Sequence, residues 1–597
     1  MSKRSGRLRW ASFVCAALLI LAATVRADDF ATVAERSDYR LTASYNETVA
    51  YARKLDSAST WIHVDTFGVS PQGRPLLYLV ASKDGAFTPA AAKTTGKTIL
   101  LVQNGIHSGE IAGKEACFAL LRDMVINKSK AALLDHVIVV VIPIFNVDGH
   151  ENNARDTRTN QDGPENAGFR VTAQLYNLNR DYLKADTPEM RAWLRLWRAW
   201  MPDFFIDDHI TDGMDWQYEI AYTIPWHQND APQIVAWTRD QFEPDVKNRV
   251  EQAGYHMFPY AFSMGKTILS GLTTFVPTPR FSNGYTSLWN RPGMLIEIHS
   301  LKDFKTRVLS NYAVLDAVLE NLNQTGASLK RAIAAADSIT LAGLTDPYPL
   351  TFRRTGDSVM VDLLSYEFDT VSSPITRGDY IRYDRNHPKT YRLPYRDVFE
   401  PAASVVPPHA YLIPREWTEQ IEHLKWQGIR LDTLVAPFTA TVERYFFDSL
   451  KWADEPYEGH FRVSYEITPH DTTMTFPAGT YVIDMRQPAA KVAIHTLEPQ
   501  GPDALVRWGY WQQVFERKEY IEDYTIDPLA QQMIAQDPDL RAAFEAKVAS
   551  DTAFANNPRA RRMFFYERSP YFETQLNWYP VVRFMGDLPR VAPVAAP

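Results

Sequence analysis

Thr98-Ile-Leu-Leu-Val102 and the following His107-Ser-Gly-Glu110 are the stretch that decides the fold of this 597-residue chain. The apolar run predicts a buried strand, and a helical pattern begins near Ile111. A strand that leads directly into a helix is typical of parallel sheets, whose carboxyl ends collect functional side chains. His107 and Glu110 are therefore predicted to lie together at such a sheet edge.

The same alternation continues along the chain. Segments rich in Val and Ile predict strands at 98–102, 137–144, 204–208 and 294–298, and amphipathic patterns predict helices at 111–126 and 188–200. Pro188 suits the first position of the second helix, with Asp186 or Thr187 as its cap. We predict an α/β fold with a mixed, largely parallel sheet flanked by helices. After it, short β-favouring segments predict a β-rich accessory domain, and residues 503–551 return to a helical pattern.

The polar residues at the predicted strand ends match the ligands of a catalytic zinc site. Such a site needs three protein ligands and an open position for the water that the metal acidifies. His107 and Glu110 supply two ligands, and His209, at the end of another apolar strand, is the predicted third. A structural zinc site would instead have four protein ligands, usually including several Cys. The chain has only two cysteines, so the sequence favours a catalytic site. We predict one Zn²⁺ per chain.

Further motifs occur around these ligands in a recognisable order. They are a polar loop with Arg155 and Arg158 after Asn146-Val-Asp148-Gly149, then Asn179-Arg180-Asp181, and finally Leu295-Ile-Glu297. Jointly, over roughly residues 45 to 330, the sequence resembles the zinc carboxypeptidases of the carboxypeptidase A type. The resemblance implies a carboxypeptidase-like catalytic domain that hydrolyses the amide bond next to a free C-terminal carboxylate.

The resemblance also implies a role for each motif. Glu297 would be the base that takes a proton from water and passes it to the leaving amine. Arg158 would polarise the scissile carbonyl and stabilise the oxyanion, with Arg155 as an accessory cation. Asn179 and Arg180 would bind the terminal carboxylate of the substrate.

At three positions near these motifs the sequence differs from the family pattern or leaves the role of the residue open. Where the family often has an acid that orients a zinc-bound imidazole, this chain has Asn177, whose amide oxygen can still accept the imidazole N–H. Tyr285 is the expected mobile tyrosine that covers the substrate, although its spacing from Glu297 is shorter than in the digestive enzymes. His299 could orient a catalytic group, contact substrate or be a core or surface histidine.

The residues alone leave structural alternatives open. Glu297 could pair with Arg291 or Lys302, because a carboxylate in an apolar strand is costly unless it is used or paired. The two loop arginines could be solvated surface residues. Asn179 could cap a helix, with its neighbouring arginine on the surface.

The N-terminus predicts export. Basic residues within the first nine positions precede an apolar stretch at 11–24 and Val25-Arg-Ala27, a pattern typical of a signal peptide cleaved after Ala27. The stretch is short for a membrane span, so no stable span is expected after cleavage. Loss of the five basic leader residues changes the net charge from −8 to about −13, and the absence of a long basic run argues against nucleic acid. Cys117 then remains alone, so no intrachain disulfide is expected.

Together these features predict a signal peptide at residues 1–27, the catalytic domain at 28–337, and the β-rich accessory domain with a helical C-terminal region at 338–597. The predicted function is a secreted or periplasmic zinc metallocarboxypeptidase. Its substrate would be an ordinary peptide or a murein peptide stem. A deacylase for small acylated amino acids and a binding protein that has lost turnover are the alternatives, and the oligomeric state is left open.

Overall fold

The fold is built around an eight-stranded mixed sheet. A computed structural model describes residues 27–224 and 231–594. The strands are β1 Ile62–Val69, β2 Pro75–Ala81, β3 Thr98–Asn104, β4 Val137–Ile142, β5 Phe204–Thr211, β6 Ile220–Thr223, β7 Met257–Pro259, β8 Phe262–Ser263, β9 Leu272–Thr273, β10 Gly293–His299, β11 Tyr348–Arg354, β12 Val359–Ser372, β13 Asp379–Arg396, β14 Phe399–Val405, β15 Ala410–Ile413, β16 Asp432–Leu434, β17 Phe438–Trp452, β18 Val463–Phe476, β19 Tyr481–Asp484, β20 Val582–Phe584 and β21 Val591–Pro593.

The helices cover this sheet and continue beyond it. The α-helices span Val33–Arg36, Tyr45–Ala58, Pro89–Thr94, Ala112–Val125, Val147–Glu151, Pro188–Trp200, Pro232–Trp237, Glu243–Gln252, Ser282–Ser287, Phe304–Ala342, Thr418–Trp426, Ala490–Leu497, Leu505–Trp508, Asp523–Gln536, Pro538–Ser550, Thr552–Ala555 and Pro558–Tyr566.

The central sheet has the order β1-β2-β4-β3-β5-β10-β6-β7. Four central strands are parallel to one another, because β4 pairs with β3, β3 with β5 and β5 with β10 in parallel ladders. On either side of this group the pairing is antiparallel, between β2 and β4 and between β6 and β10. The strands β3, β4 and β5 are buried along their whole length, as expected when helices cover both faces of parallel strands. The predicted mixed, largely parallel sheet is confirmed.

Alternate residues of β3 show how the two faces are covered. Leu100 packs in the apolar cluster that contains the helix Ala112–Val125. Leu101 packs in the opposite cluster, which contains the helix Pro188–Trp200. The latter helix begins at the predicted residue, and the Thr187 side chain caps it by accepting from the backbone N–H of Met190.

Residues beyond the long helix Phe304–Ala342 form the predicted β-rich region with a helical C-terminal part. Its largest sheet has the order β18-β17-β20-β15-β19-β16-β21. The helices between Asp523 and Tyr566 pack around their own apolar cluster, which includes Phe554 and Phe564. The boundary placed between residues 337 and 338 falls inside the long helix, and the domain limits stay a prediction.

The predicted signal peptide at residues 1–27 falls, apart from its last residue, outside the described part of the chain. Across residues 27–224 and 231–594, no helix combines the length and apolar character needed to cross a membrane. Cys117 is a free, buried cysteine in the helix Ala112–Val125.

Candidate metal centre

The three predicted metal ligands meet at the carboxyl end of the central parallel strands. His107 and Glu110 lie between β3 and the helix Ala112–Val125, and His209 lies near the end of the adjacent strand β5. One ligand atom from each residue lies within 4.8 Å of the other two. All three side chains are buried, so the cluster forms a shielded group of donors.

Hydrogen bonds at the outer nitrogens fix both imidazoles. His107 Nε2 lies 3.0 Å from Asn177 Oδ1, and His209 Nε2 lies 2.9 Å from Asp207 Oδ2. Because both partners are acceptor oxygens, each Nε2 carries a hydrogen and each Nδ1 faces Glu110. The two Nδ1 atoms lie 3.2 and 2.9 Å from Glu110 Oε2. Such outer hydrogen bonds are what orient metal-binding imidazoles.

Electrostatics of the cluster favour a bound cation. Burial lowers the pKa of His107 to about 4, which keeps the ring in the neutral form that binds metals. Burial opposes the charge on Glu110, but His107 and His209 outweigh it and hold the pKa of this carboxyl well below its usual range. Burial also opposes the charged form of His209, yet the carboxylate of Asp207 raises the pKa of this imidazole. A divalent cation would therefore displace a proton from His209 when it binds.

The donor set fits Zn²⁺. Two imidazole nitrogens and one carboxylate oxygen are a ligand set of catalytic zinc sites. Only Oε2 of Glu110 faces the imidazoles, because Oε1 pairs with Arg158 Nη2 at 2.8 Å and with Arg170 Nη1 at 3.3 Å. The carboxylate is thus oriented to offer a single oxygen.

The loop arginines differ in their positions. Arg158 reaches the cluster, and Gly109 allows this because a Cβ at residue 109 would lie 2.5 Å from Arg158 Cγ. Arg170, which sequence reasoning did not identify, is the second guanidinium at Glu110. Arg155 is exposed on the same loop as Arg158, and within residues 27–224 and 231–594 it makes no hydrogen bond or ion pair with the proposed ligands.

Glu297 lies next to the cluster. In the parallel pairing of β10 with β5 it stands opposite His209. Burial raises the pKa of Glu297 to about 8, although the charge of His209 opposes this. Neither suggested ion pair forms, because Arg291 pairs with Asp337 and Lys302 donates to two backbone carbonyls. A partly buried carboxyl thus lies beside His209 without either of the suggested ion-pair partners.

Asn179 and Arg180 lie at the edge of the cluster in a short 3-10 helix, Leu178–Arg180. Asn179 Nδ2 lies 3.4 Å from His209 Nε2, and its buried Oδ1 has no hydrogen-bond partner within residues 27–224 and 231–594. Arg180 is half-buried, with its guanidinium 4.4 Å from the centre of the Phe281 ring. The Asn179 amide therefore adjoins a proposed metal ligand, and the Arg180 guanidinium belongs to the next residue of the chain.

Tyr285 and His299, which the sequence offered as possible contacts of the substrate, are both buried in the structure. Tyr285 has no solvent exposure, and its hydroxyl donates to Gln427 Oε1 at 2.7 Å. A ring enclosed in this way cannot swing over a substrate, so the expectation of a mobile covering tyrosine at this position does not agree with the structure. His299 is also buried, and its Nε2 lies 2.7 Å from the carbonyl oxygen of Met214.

Two further residues near the cluster were not identified from the sequence. Asp207 stands two residues before His209 on one strand, and alternate strand residues share a face, so this spacing was a usable signal. Tyr260 follows the three-residue strand β7, and its hydroxyl lies 3.4 Å from Thr211 Oγ1. Burial, with the negative charge of Glu297, raises the pKa of Tyr260 to about 12.

A known protein family and several known proteins are similar to this chain. Residues 48–223, which include the three candidate ligands, match the family described as zinc carboxypeptidase. The chain is 24% identical to Carboxypeptidase 2 of Trichophyton rubrum, across 77% of this chain and 82% of that protein. Similar solved structures include a metallo-carboxypeptidase from Burkholderia cenocepacia (15% identity, 47% of this chain, 70% of that chain, TM-score 0.36) and carboxypeptidase A from Helicoverpa armigera (14%, 55%, 81%, 0.36).

The family match confirms the resemblance that the motifs predicted. Because the matched segment contains a buried His-Glu-His group, zinc is the cofactor that both observations indicate. Residues 48–223 therefore match a zinc carboxypeptidase domain, and this match, with the carboxypeptidase relatives, indicates a peptide hydrolase.

Proposed function

We propose that this zinc carboxypeptidase acts outside the cytoplasm and removes single residues from the free C-termini of peptides. The observation that carries the proposal is the adjacency of two groups. One is the buried cluster His107, Glu110 and His209. The other is Asn179, whose amide lies 3.4 Å from His209 Nε2 and which is followed directly by Arg180. A hydrolytic centre beside a carboxylate-binding pair is what an exopeptidase requires.

His107, Glu110 and His209 would hold the zinc ion. When bound, zinc supplies positive charge that acidifies a water molecule and polarises a carbonyl oxygen. Asn177 and Asp207 would keep each Nε2 protonated and each Nδ1 directed inward. These two residues therefore set the orientation of the ligands before any substrate arrives.

Glu297 would move the proton. Its burial favours the protonated carboxyl, so the residue can accept a proton from water and then release it to the leaving amine. Arg158 would stabilise the negative charge that develops on the carbonyl oxygen. Its guanidinium is held beside the proposed metal ligands by Glu110, whose Oε1 lies 2.8 Å from Arg158 Nη2.

Asn179 and Arg180 would bind the carboxylate of the substrate. Arg180 Nη1 donates to the carbonyl oxygen of Asn179 at 2.7 Å, which orients the rest of the guanidinium. A planar guanidinium with a neighbouring amide matches the two oxygens of a carboxylate. A peptide whose terminal carboxyl is amidated would lose this interaction.

Export is a separate part of the proposal. It rests on the basic and apolar pattern of residues 1–27, with cleavage after Ala27. Expression of the full chain in a Gram-negative host, followed by fractionation and N-terminal sequencing, tests it. Mature protein that begins at Asp28 outside the cytoplasm would support export, and full-length protein in the cytoplasm would contradict it.

The decisive experiment for the activity uses purified mature protein and a panel of N-blocked dipeptides, each as the free acid and as the amide. Cleavage is measured before chelation, after chelation and after zinc restoration. Zinc-restorable cleavage of the free acids alone supports the proposal and gives the residue preference. If zinc-loaded protein cleaves neither series, the assignment shifts to murein peptides, to small acylated amino acids or to binding without turnover.

A further inference from the structure

A tight turn from the β-rich region lies against the proposed carboxylate-binding pair. Strands β17 and β18 are connected through Tyr457-Glu458-Gly459-His460. The backbone N–H of Tyr457 donates to His460 O at 2.9 Å, and that of His460 donates to Tyr457 O at 3.1 Å. Glu458 and Gly459 have φ angles of 50° and 82°, the left-handed values of a type I′ hairpin turn. The turn therefore has a defined conformation.

The turn makes three polar contacts with the segment 176–186, in which Asn177 and Asn179 lie beside the proposed metal ligands. Tyr457 Oη accepts from Arg180 Nε at 3.1 Å, Glu458 Oε2 accepts from the backbone N–H of Asn177 at 3.1 Å, and His460 Nε2 lies 2.8 Å from Asp186 Oδ2. The backbone also approaches closely, because a Cβ at Gly459 would lie 3.1 Å from the Tyr176 ring. The turn thus packs along the segment 176–186, which contains the proposed carboxylate-binding pair.

Tyr457 is well placed to orient the guanidinium. Its ring stacks on Trp508, with centroids 5.9 Å apart and planes inclined by 14°. The side chain of Arg180 lies between the Tyr457 hydroxyl and the Phe281 ring. Tyr457 keeps 38% of its surface exposed, so its hydroxyl lies at an accessible position and not in a closed core.

The chemistry of this contact leaves the tyrosine with a donor. A guanidinium has only donor hydrogens, so the Tyr457 oxygen accepts in the contact with Arg180. The phenolic hydrogen is not used there and can donate to an oxygen beside the guanidinium. A carboxylate bound by Arg180 would offer such an oxygen.

We infer that the turn Tyr457–His460 is part of the carboxylate-binding site, with Tyr457 as the positioning residue for Arg180 and an additional donor to the substrate carboxylate. This inference rests on the proposed carboxypeptidase function and extends it, because the β-rich region then contributes directly to substrate recognition. A turn that only fastened the two regions together would need the His460–Asp186 contact, but not the tyrosine hydroxyl.

The test compares Tyr457→Phe with the wild type on an N-blocked dipeptide free acid. Loss of one hydrogen bond to a charged group should raise KM about tenfold. The value of kcat should change little, because the reacting bond is not touched. Product inhibition by the released amino acid should weaken by a similar factor, whereas inhibition by the amide of that amino acid should not change. Tyr520→Phe, at a tyrosine that is 69% exposed, is the matched control and should behave as the wild type.

A second variant separates positioning from a structural role. His460→Gln weakens the same interface without touching Arg180, and both variants are compared with the wild type by thermal unfolding and zinc content. A KM effect in Tyr457→Phe that is absent in His460→Gln supports the inference. Equal KM effects in both variants, or no KM effect in Tyr457→Phe, would overturn it while the carboxypeptidase assignment stands. Failure of the zinc-loaded wild type to cleave any free acid would instead overturn the proposed function.

Discussion

The proposed metal cluster and the proposed carboxylate-binding pair are built in different ways. His107, Glu110 and His209 stand at the ends of neighbouring strands of one sheet, and the partner of His209 lies on its own strand. Arg180 is contacted by Phe281 and by Tyr457, which follows it by 277 positions. Sheet topology thus brings the proposed metal ligands together, whereas the proposed carboxylate-binding pair depends on contacts between distant parts of the chain.

The local backbone explains this difference. The β5–β10 ladder sets His209 and Glu297 side by side, because each ladder hydrogen bond fixes the register. Asn179 instead lies in a three-residue 3-10 helix and has non-helical dihedral angles, φ −77° and ψ 24°. Short segments of this kind need external support to hold a side chain in place. The turn Tyr457–His460 provides such support.

The largest expected effect tests the sheet-based half of this comparison. Glu297→Gln should lower kcat by about three orders of magnitude, because general acid–base catalysis contributes roughly 10²–10⁴ in rate. Zinc content and KM should stay close to the wild type, because Glu297 is not a proposed ligand. Glu367→Gln, at an exposed glutamate, is the control. A binding protein without turnover would show no catalytic loss in either variant.

The pH profile gives an independent check of Glu297. Only the deprotonated carboxylate can accept a proton, so kcat/KM should rise with pH as the group ionises. Burial raises its pKa to about 8, and a bound cation would lower this value toward the ordinary value of about 4.3. The acidic limb should therefore lie between these limits and be absent from the residual activity of Glu297→Gln. Zinc content measured at each pH separates this limb from metal loss, and a limb that persists in the variant would assign it to another group.

Local sequence patterns predicted the strands that bring the proposed metal ligands together. Apolar periodicity located β3, β5 and β10, and the capping pattern located the start of the helix Pro188–Trp200. The three proposed ligands followed because strand ends of a parallel sheet lie side by side. These signals extend over a few residues and need no knowledge of distant contacts.

Residues that depend on distant contacts could not be placed from the sequence. Tyr285 precedes Glu297 in the chain, as the family pattern requires of the tyrosine that covers the substrate. Its hydroxyl, however, donates to Gln427, which lies 142 positions later in the chain. Tyr457 lies in a turn whose pattern predicts a hairpin but gives no sign of Arg180. Arg170 likewise lies on an irregular loop, where periodicity carries no information about side-chain direction.

The next effect tests the recognition half of the comparison. Arg180→Gln should lower kcat/KM for free-acid peptides about 100-fold, because it removes a charge-assisted interaction of up to about 3 kcal/mol. Arg180→Lys should recover only part of this loss, because an ammonium lacks the planar fork. The preference for free acids over amides should fall in parallel. An unchanged preference would move carboxylate recognition away from this residue.

Arg155→Gln on the exposed loop is the matched comparison for Arg180. The predicted role of Arg155 as an accessory cation implies a smaller loss, within about threefold, as expected for an exposed charge in water. The measurement is kcat/KM for the same free acids at low and high ionic strength. A loss as large as that of Arg180→Gln would mean that recognition extends along the loop.

The last comparison is between the two imidazoles within the proposed metal cluster. His209 donates to the carboxylate of Asp207, whereas His107 donates to the amide oxygen of Asn177, so the two ligands should differ in basicity. Asp207→Asn should weaken zinc affinity by about tenfold or more, in line with the usual cost of losing such a partner. Asn177→Asp should strengthen it a few-fold, because a carboxylate makes the imidazole a better ligand. Competition with a chromophoric chelator measures both affinities without turnover. If Asp207→Asn changed KM but not zinc affinity, Asp207 would serve recognition instead of the metal, and the separation between the two halves of the site would be wrong.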